Sequence, residues 1–182
     1  CMQANAHALA RYAMLAQEAG MVPIIEPEVL MDGPHSIDRC GEVTEKVLKS
    51  VYAALEDQGI ALKGTLLKPN MILPGTDCQE QSSVEEVAKR TLRCLKRAVP
   101  TAVTGIVFLS GGQSDELATA HLNAMNRLPD EVPWKLSFSY GRALQGAPLN
   151  EWKGKPENQA NVQTALLERA AANGAASLGA QE

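Results

Sequence analysis

The stretch Gly64-Thr65-Leu66-Leu67-Lys68-Pro69-Asn70 decides the predicted fold of this chain. With the apolar residues before it, it predicts a strand over residues 60–68 that stops at Pro69, because proline supplies no backbone donor. Residues of equal parity share one face of a strand, so Lys68 is predicted to share an apolar face with Leu62. The pattern therefore indicates a strand with an apolar face that ends in a charged residue.

Strands and helices alternate along the chain on either side of this stretch. Two further predicted strands also end beside polar side chains, Glu26 and Ser110. The predicted strands cover residues 21–26, 60–68, 105–109 and 135–140. Apolar periodicity and helix-forming composition predict helices over residues 4–20, 36–58, 82–98, 114–127 and 156–172, with Ser82 and Glu85 as a capping box. This alternation predicts parallel β/α units.

Four such units fit either an open doubly wound sheet or part of an eight-stranded barrel. The doubly wound alternative lacks a GxGxxG turn after its first strand. A barrel explains the polar strand ends, since barrel enzymes build their sites at the carboxyl ends of the strands. We therefore predict an α/β fold of the TIM (β/α)8 barrel family. The domain covers residues 1–182, with 174–182 as a disordered or tail segment. A closed barrel needs about 250 residues, so only part of one is expected.

Composition excludes several classes of function. The 182 residues are 45% hydrophobic and 21% charged, and the net charge of −4 indicates neither a nucleic-acid nor a membrane partner. No apolar run approaches the roughly 20 residues that span a bilayer. Four cysteines without CxxC spacing predict free thiols in a cytoplasmic protein, and three scattered histidines predict no metal site. Cys1 leads directly into a predicted helix, so we expect the parent protein to begin earlier.

Lys68 is the first candidate for chemistry. A lysine at the end of an apolar face is desolvated, which lowers its pKa from about 10.4 toward neutrality. A neutral amine can attack a carbonyl carbon and form a Schiff base. Local sequence alone also allows the alternative of a surface lysine whose ammonium reaches solvent, and it favours that alternative.

Glu26 and Glu28 form a candidate acid pair before the second helix. Two residues apart in extended chain, they can face one side, and their repulsion raises the pKa of one of them. That pKa suits the proton transfers of carbinolamine formation and dehydration. A solvated acidic loop is the alternative interpretation of the same residues.

Two turns that follow strands are candidates for binding phosphate. In Ser110-Gly111-Gly112-Gln113-Ser114, the glycines let backbone N–H groups approach an anion at a helix N-terminus. In Ser139-Tyr140-Gly141-Arg142, the arginine supplies a guanidinium suited to bidentate phosphate contact. Ordinary turns also use glycine, and Arg142 alone is equally well explained as a surface charge. Together with the acid pair and Lys68, these turns indicate imine chemistry on a phosphorylated carbonyl compound.

Four segments of the chain resemble the signature segments of class I fructose-bisphosphate aldolases, in order and with the spacing of that family. They are Val22-Pro23-Ile24-Ile25-Glu26-Pro27-Glu28, Gly64 to Asn70, Phe108-Leu109-Ser110-Gly111-Gly112-Gln113-Ser114 and Ser137-Phe138-Ser139-Tyr140-Gly141-Arg142-Ala143-Leu144. The resemblance implies the second half of a barrel, roughly strands 5–8. It also implies a glycolytic and gluconeogenic carbon–carbon lyase that cleaves fructose 1,6-bisphosphate to dihydroxyacetone phosphate and glyceraldehyde 3-phosphate.

The resemblance also implies roles for individual residues. Lys68 is the expected Schiff-base nucleophile, Glu26 the principal acid/base, and Glu28 a support for the lysine. The residues expected to hold a substrate phosphate are Ser110, Gly111, Gly112, Ser139, Gly141 and Arg142. The family uses no metal or other cofactor and is commonly a homotetramer, so a phosphorylated sugar and further copies of the protein are the expected partners.

The chain lacks part of the site that the resemblance implies. In the family an aspartate and two further lysines come from earlier strands, which these residues do not include. Lys63 is not expected to replace the missing cation, because a strand places it about 16 Å from Lys68 on the opposite face. We therefore expect little or no cleavage activity from residues 1–182 alone.

Two other functions stay open at this stage. One is another Schiff-base lyase of the transaldolase type, which the two phosphate-suited turns disfavour. The other is a catalytically incomplete half-barrel that acts as an interaction or assembly module, because a sheet cut from a barrel exposes two unpaired edges.

Overall fold

The computed structural model describes residues 1–128 and 132–181 of the chain. Six helices and four strands lie along them, alternating up to the last strand, which two helices follow. The helices are α1 Met2–Glu18, α2 Ile37–Asp57, α3 Val84–Ala98, α4 Asp115–Arg127, α5 Arg142–Trp152 and α6 Gln159–Ala176. The strands are β1 Ile24–Ile25, β2 Leu66–Leu67, β3 Gly105–Phe108 and β4 Lys135–Phe138, and two 3-10 turns lie at Leu62–Gly64 and Pro156–Asn158.

The four strands form one parallel sheet in the order β1-β2-β3-β4. Ile25 pairs with Leu67, Leu67 with Ile106, and Ile106 with Leu136. This cross-strand row is buried throughout, and it packs with helix residues such as Leu48 in one core. Each buried aliphatic side chain contributes roughly 1.5–3 kcal/mol to folding. The predicted parallel α/β sheet is confirmed, and all four carboxyl strand ends lie along the same edge of it.

The second strand is much shorter than predicted. Leu62–Gly64 forms a 3-10 turn, and only Leu66–Leu67 is strand. The Thr65 hydroxyl donates to the Leu62 carbonyl at 2.7 Å, which closes this turn. The expectation that Lys68 shares a strand face with Leu62 is therefore wrong, and the strand conformation assumed for the distance from Lys63 does not hold. Lys68 still follows directly after a strand.

Three of the helices, α2, α3 and α4, begin at a serine cap, and the cap of α3 lies one residue later than predicted. The Ser83 hydroxyl, and not that of Ser82, accepts from the backbone N–H of Glu86 at the head of α3. Ser36 and Ser114 accept in the same way from Arg39 and Leu117. A serine at this position satisfies a backbone donor that has no partner inside the helix.

The C-terminal region has more structure than predicted. Helix α5 was missed, because Pro148 inside it removes one helical donor and breaks the apolar pattern. Helix α6 runs to Ala176, and beyond it the Asn123 amide exchanges hydrogen bonds with the backbone of Gln181 at 3.0 and 3.2 Å. Residues 174–181 of the predicted disordered or tail segment therefore form the end of α6 and a turn that Asn123 holds. Glu182 lies outside the described residues.

Candidate active site

Lys68 and Glu26 form an ion pair at the carboxyl ends of β2 and β1. The Lys68 Nζ atom lies 2.9 Å from Glu26 Oε1. The two residues are brought side by side because the backbone N–H of Lys68 donates to the Ile25 carbonyl at 2.7 Å, which extends the parallel ladder by one bond. The Lys68 side chain is 21% exposed and that of Glu26 is 43% exposed, so the pair is reachable from solvent.

Glu28 lies between the cleft beside Glu26 and the first glycine turn. Its Oε1 atom would lie 3.3 Å from a Cβ atom built on Gly111, so its carboxylate lies against the first glycine turn. The ion pair of Lys68 is with Glu26. Glu26 and Glu28 also line one cleft of about 460 Å³ between α1 and α2. Any support of the lysine by Glu28 stays a prediction.

Asn70 organises this end of the sheet, and sequence analysis gave it no role. Its side chain is 2% exposed. Its Oδ1 accepts from the backbone N–H of Val29 at 3.1 Å, and its Nδ2 donates to Thr44 Oγ1 and to the Met71 carbonyl, both at 3.1 Å. Asn70 therefore ties the Glu26–Val29 loop to α2 and to its own loop. The sequence offered one signal for this role, namely an asparagine directly after the Lys68-Pro69 pair that ends the strand.

The two candidate phosphate turns lie beside each other and next to the strand that precedes Lys68. The Leu109 N–H donates to the Pro69 carbonyl at 3.1 Å, and the Ser139 N–H donates to the Phe108 carbonyl at 2.9 Å. Ser110 is buried, and its Oγ accepts from the Ala143 N–H at 3.4 Å. This last contact joins the first turn directly to the start of α5.

The two candidate phosphate turns differ in whether their backbone conformation and packing require glycine. Gly112 has φ +74°, and a Cβ atom there would lie 2.6 Å from the Cβ of Met31, so only glycine fits. At Gly141 an added Cβ would meet no atom of the described chain within 4 Å. The backbone at Gly141 is thus open to an approaching group, and Arg142 beside it is exposed at the first position of α5.

Comparisons with known proteins find relatives that match the chain over nearly its whole length. The family model described as glycolytic, fructose-bisphosphate aldolase class-I, matches residues 1–182. The chain belongs to the class I fructose-bisphosphate aldolase family. It is 57% identical over 180 residues to a probable fructose-bisphosphate aldolase class 1 of Xylella fastidiosa, covering 98% of this chain and 54% of the relative. It is 55% identical over 175 residues to the cytosolic fructose-bisphosphate aldolase 4 of Arabidopsis thaliana, covering 96% and 44%.

A solved aldolase has the same fold as this chain. The fructose-bisphosphate aldolase of Plasmodium falciparum, in a structure with TRAP and a small-molecule inhibitor, superposes with a TM-score of 0.96 at 50% identity. The match covers 100% of this chain and 52% of that one. The chain therefore spans about half the length of the aldolases that it matches, and its α/β sheet is part of a TIM-type barrel, as predicted.

The described residues contain neither a candidate metal site nor a candidate membrane span. Within residues 1–128 and 132–181, no group of three or more His, Cys, Asp or Glu side chains is arranged to hold a metal ion. In the same ranges no helix is both long and apolar enough to cross a membrane. The four cysteines are free thiols, as predicted.

Proposed function

We propose that the native-length protein containing this chain is a class I fructose-bisphosphate aldolase that acts through a Schiff base on Lys68. It reversibly cleaves fructose 1,6-bisphosphate to dihydroxyacetone phosphate and glyceraldehyde 3-phosphate. The observation that carries the proposal is the 2.9 Å contact between Lys68 Nζ and Glu26 Oε1 at adjacent strand ends. Membership of the aldolase family supports it.

The chemistry assigns a separate task to each member of the ion pair. Glu26 takes a proton from the Lys68 ammonium, and the free amine attacks the C2 carbonyl carbon of the ketose. The carbinolamine then loses its hydroxyl as water, with a proton returned by Glu26, and leaves a protonated imine. The imine accepts the electron pair of the C3–C4 bond as that bond breaks and the C4 hydroxyl loses its proton. Protonation at C3 and hydrolysis release dihydroxyacetone phosphate and regenerate Lys68.

We assign the two glycine turns to one phosphate group of the substrate. The proposed contacts are Ser110, Gly111, Gly112, Ser139, Gly141 and Arg142. Backbone N–H groups at the starts of α4 and α5 offer donors and positive potential to an anion, and a guanidinium adds a full charge. The direct contact between Ser110 and Ala143 supports a single site, because it joins the two turns.

Further properties of the whole protein follow from family membership and belong to the same proposal. We propose that it is cytoplasmic, acts in glycolysis and gluconeogenesis, assembles as a homotetramer and needs no metal ion. The name of the cytosolic Arabidopsis relative supports the location. Sedimentation velocity and an activity assay in the presence of a chelator test the assembly and the metal independence.

Borohydride trapping tests the central assignment. The native-length protein is incubated with dihydroxyacetone phosphate and sodium borohydride, and the modified peptide is identified by mass spectrometry. We expect the adduct on Lys68 and its loss in Lys68→Met. Lys63→Met is the matched control, since Lys63 is an exposed lysine in the 3-10 turn before β2, and its adduct yield should stay at the wild-type value. An adduct on another lysine, or none, would refute the assignment.

The isolated chain provides a second test. The aspartate and two lysines that the family resemblance requires from earlier strands are not among these 182 residues. We expect residues 1–182 alone to cleave fructose 1,6-bisphosphate at least 10³-fold more slowly than the native-length protein, because a site that lacks its cationic neighbours loses charge stabilisation. Turnover near the native-length rate would contradict this proposal.

A further inference from the structure

Arg169 on α6 connects three helices beneath the candidate phosphate turns. Its Nε donates to the Ala143 carbonyl at 3.1 Å. Its Nη2 donates to the Asp115 carbonyl and to Thr119 Oγ1, both at 2.6 Å. One planar guanidinium therefore links α6 to the first turn of α5 and to the first turn of α4.

The peptide groups on both sides of Ala143 are held by different elements. The N–H of this residue donates to Ser110 Oγ in the first phosphate turn, and its carbonyl accepts from Arg169. Ala143 itself is fully buried and directly follows Arg142, the last residue of the second turn. Any change in the position of Ala143 therefore changes the position of the second turn relative to the first.

A buried side chain fixes the guanidinium in turn. The Thr119 hydroxyl donates to Asn173 Oδ1 at 2.6 Å, and both side chains are completely buried. Thr119 belongs to α4 and Asn173 to α6, one helical turn after Arg169. The contacts of Arg169 thus lie in a network with a defined geometry, in which charge-assisted hydrogen bonds are stronger than neutral ones.

We infer that Arg169 is a positioning residue for phosphate recognition: it holds the start of α5, and with it the turn 139–142, in register with the turn 110–114. The inference rests on the proposed function. The three hydrogen bonds of Arg169 all go to protein oxygens on α4 and α5, so its role differs from that of a ligand to the substrate. Lysine cannot reproduce it, since an ammonium lacks the planar fork that reaches both helices at once.

The test compares a phosphorylated with an unphosphorylated ligand. Borohydride trapping on the native-length protein is titrated with dihydroxyacetone phosphate and with dihydroxyacetone, which differ only in the phosphate group. We expect Arg169→Lys to raise the half-saturating concentration of dihydroxyacetone phosphate about tenfold, because small misplacement of a binding group is costly. The half-saturating concentration of dihydroxyacetone should change less than twofold. Glu168→Gln, an exposed change on the same helix, is the matched control and should change neither value.

A second variant covers the case in which Arg169→Lys fails to fold. Thr119→Val keeps the volume of a buried side chain and removes one acceptor of the guanidinium together with its link to Asn173. It should also raise the half-saturating concentration of dihydroxyacetone phosphate selectively, but by a smaller factor than Arg169→Lys. Its near-UV circular dichroism spectrum should be like that of the wild type. Equal losses for both ligands, or no loss for either in a folded variant, would overturn the inference alone. Absence of any Lys68 adduct in the wild-type protein would overturn the proposed function and this inference with it.

Discussion

The ammonium of Lys68 and the carboxylate of Glu26 are 2.9 Å apart across the parallel pair β1–β2. Neither residue is near the other in sequence, and each ends its own strand. The pairing of Ile25 with Leu67 sets this distance, because it places the next residue of each strand side by side. Strand pairing thereby brings together the residues that we propose as nucleophile and proton acceptor.

Replacing the Glu26 carboxylate tests the catalytic role that we propose for it. Glu26→Gln should lower kcat for fructose 1,6-bisphosphate cleavage by about 10²- to 10³-fold, the usual contribution of a general acid/base. Stability should change by less than about 1 kcal/mol, because the lost ion pair is partly exposed. Glu42→Gln removes the exposed ion pair with Arg39 and is the control for loss of a charge. Steady-state kinetics measure kcat. A wild-type kcat for Glu26→Gln would show that Glu26 is not the acid/base.

Removing the Asn70 amide should destabilise the strand-end loops. Asn70→Ala leaves the Val29 N–H without its acceptor in a buried setting, so we expect a loss of about 1–3 kcal/mol. Urea unfolding followed by circular dichroism measures it. Asn5→Ala serves as the control, since Asn5 is exposed on α1. A stability of Asn70→Ala within about 0.5 kcal/mol of the control would mean that water replaces the lost contact.

A methyl group at Gly112 should disturb the first candidate phosphate turn. Gly112→Ala combines a left-handed φ of +74° with a Cβ atom 2.6 Å from that of Met31, so we expect a loss of roughly 1–3 kcal/mol. The same substitution at Gly174 in α6 meets no atom of the described chain within 4 Å, and it should stabilise by up to about 1 kcal/mol. Thermal unfolding of the two variants distinguishes them, and equal shifts in Tm would contradict this interpretation.

His121 should make stability depend on pH. Burial lowers the pKa of His121 to about 4 in the folded chain, against about 6.5 when unfolded. Between these values the unfolded state binds more protons, so the free energy of unfolding should fall as pH falls from about 6.5 to about 4, by roughly 3 kcal/mol at most. Urea titrations at pH 7 and pH 5 measure this. His121→Gln should reduce the difference between the two, while His7→Gln, an exposed change, should leave it as in the wild type.

The cysteines should divide into two classes of reactivity. Burial, with the nearby Glu45 carboxylate, raises the pKa of Cys94 to about 12, and burial also raises the pKa of Cys40. Thiolate is the reactive form, so neither should be alkylated by iodoacetamide at pH 8 in the folded protein. Cys1 is exposed and Cys78 is half-buried, and both should react. Peptide mass spectrometry of protein labelled before and after unfolding in urea measures the reactivity of each cysteine. Labelling of Cys94 in the folded protein would contradict this division.

Local sequence was sufficient for the order of the four strands and of every helix except α5. The sequence pattern predicted the bounds of α2 and α4 to within a residue or so, because a helix stabilised by one apolar face leaves that face in the sequence. The same reasoning failed for α5, because this helix contains Pro148 and has no single apolar face. Contacts with α6 and α4, including the Arg169 bond to Ala143, support that helix, and no short stretch of sequence contains such information.

What the sequence by itself determined about this protein is the chemical inventory: a lysine, two glutamates and two glycine turns, each within a few residues of the carboxyl end of a strand. Tertiary structure alone decided which of them meet. It paired Lys68 with Glu26, directed Glu28 toward Gly111, and joined Ser110 to Ala143. The physical reason is that residue type and spacing specify which groups a strand end offers, whereas strand register and helix packing set the distances between strands.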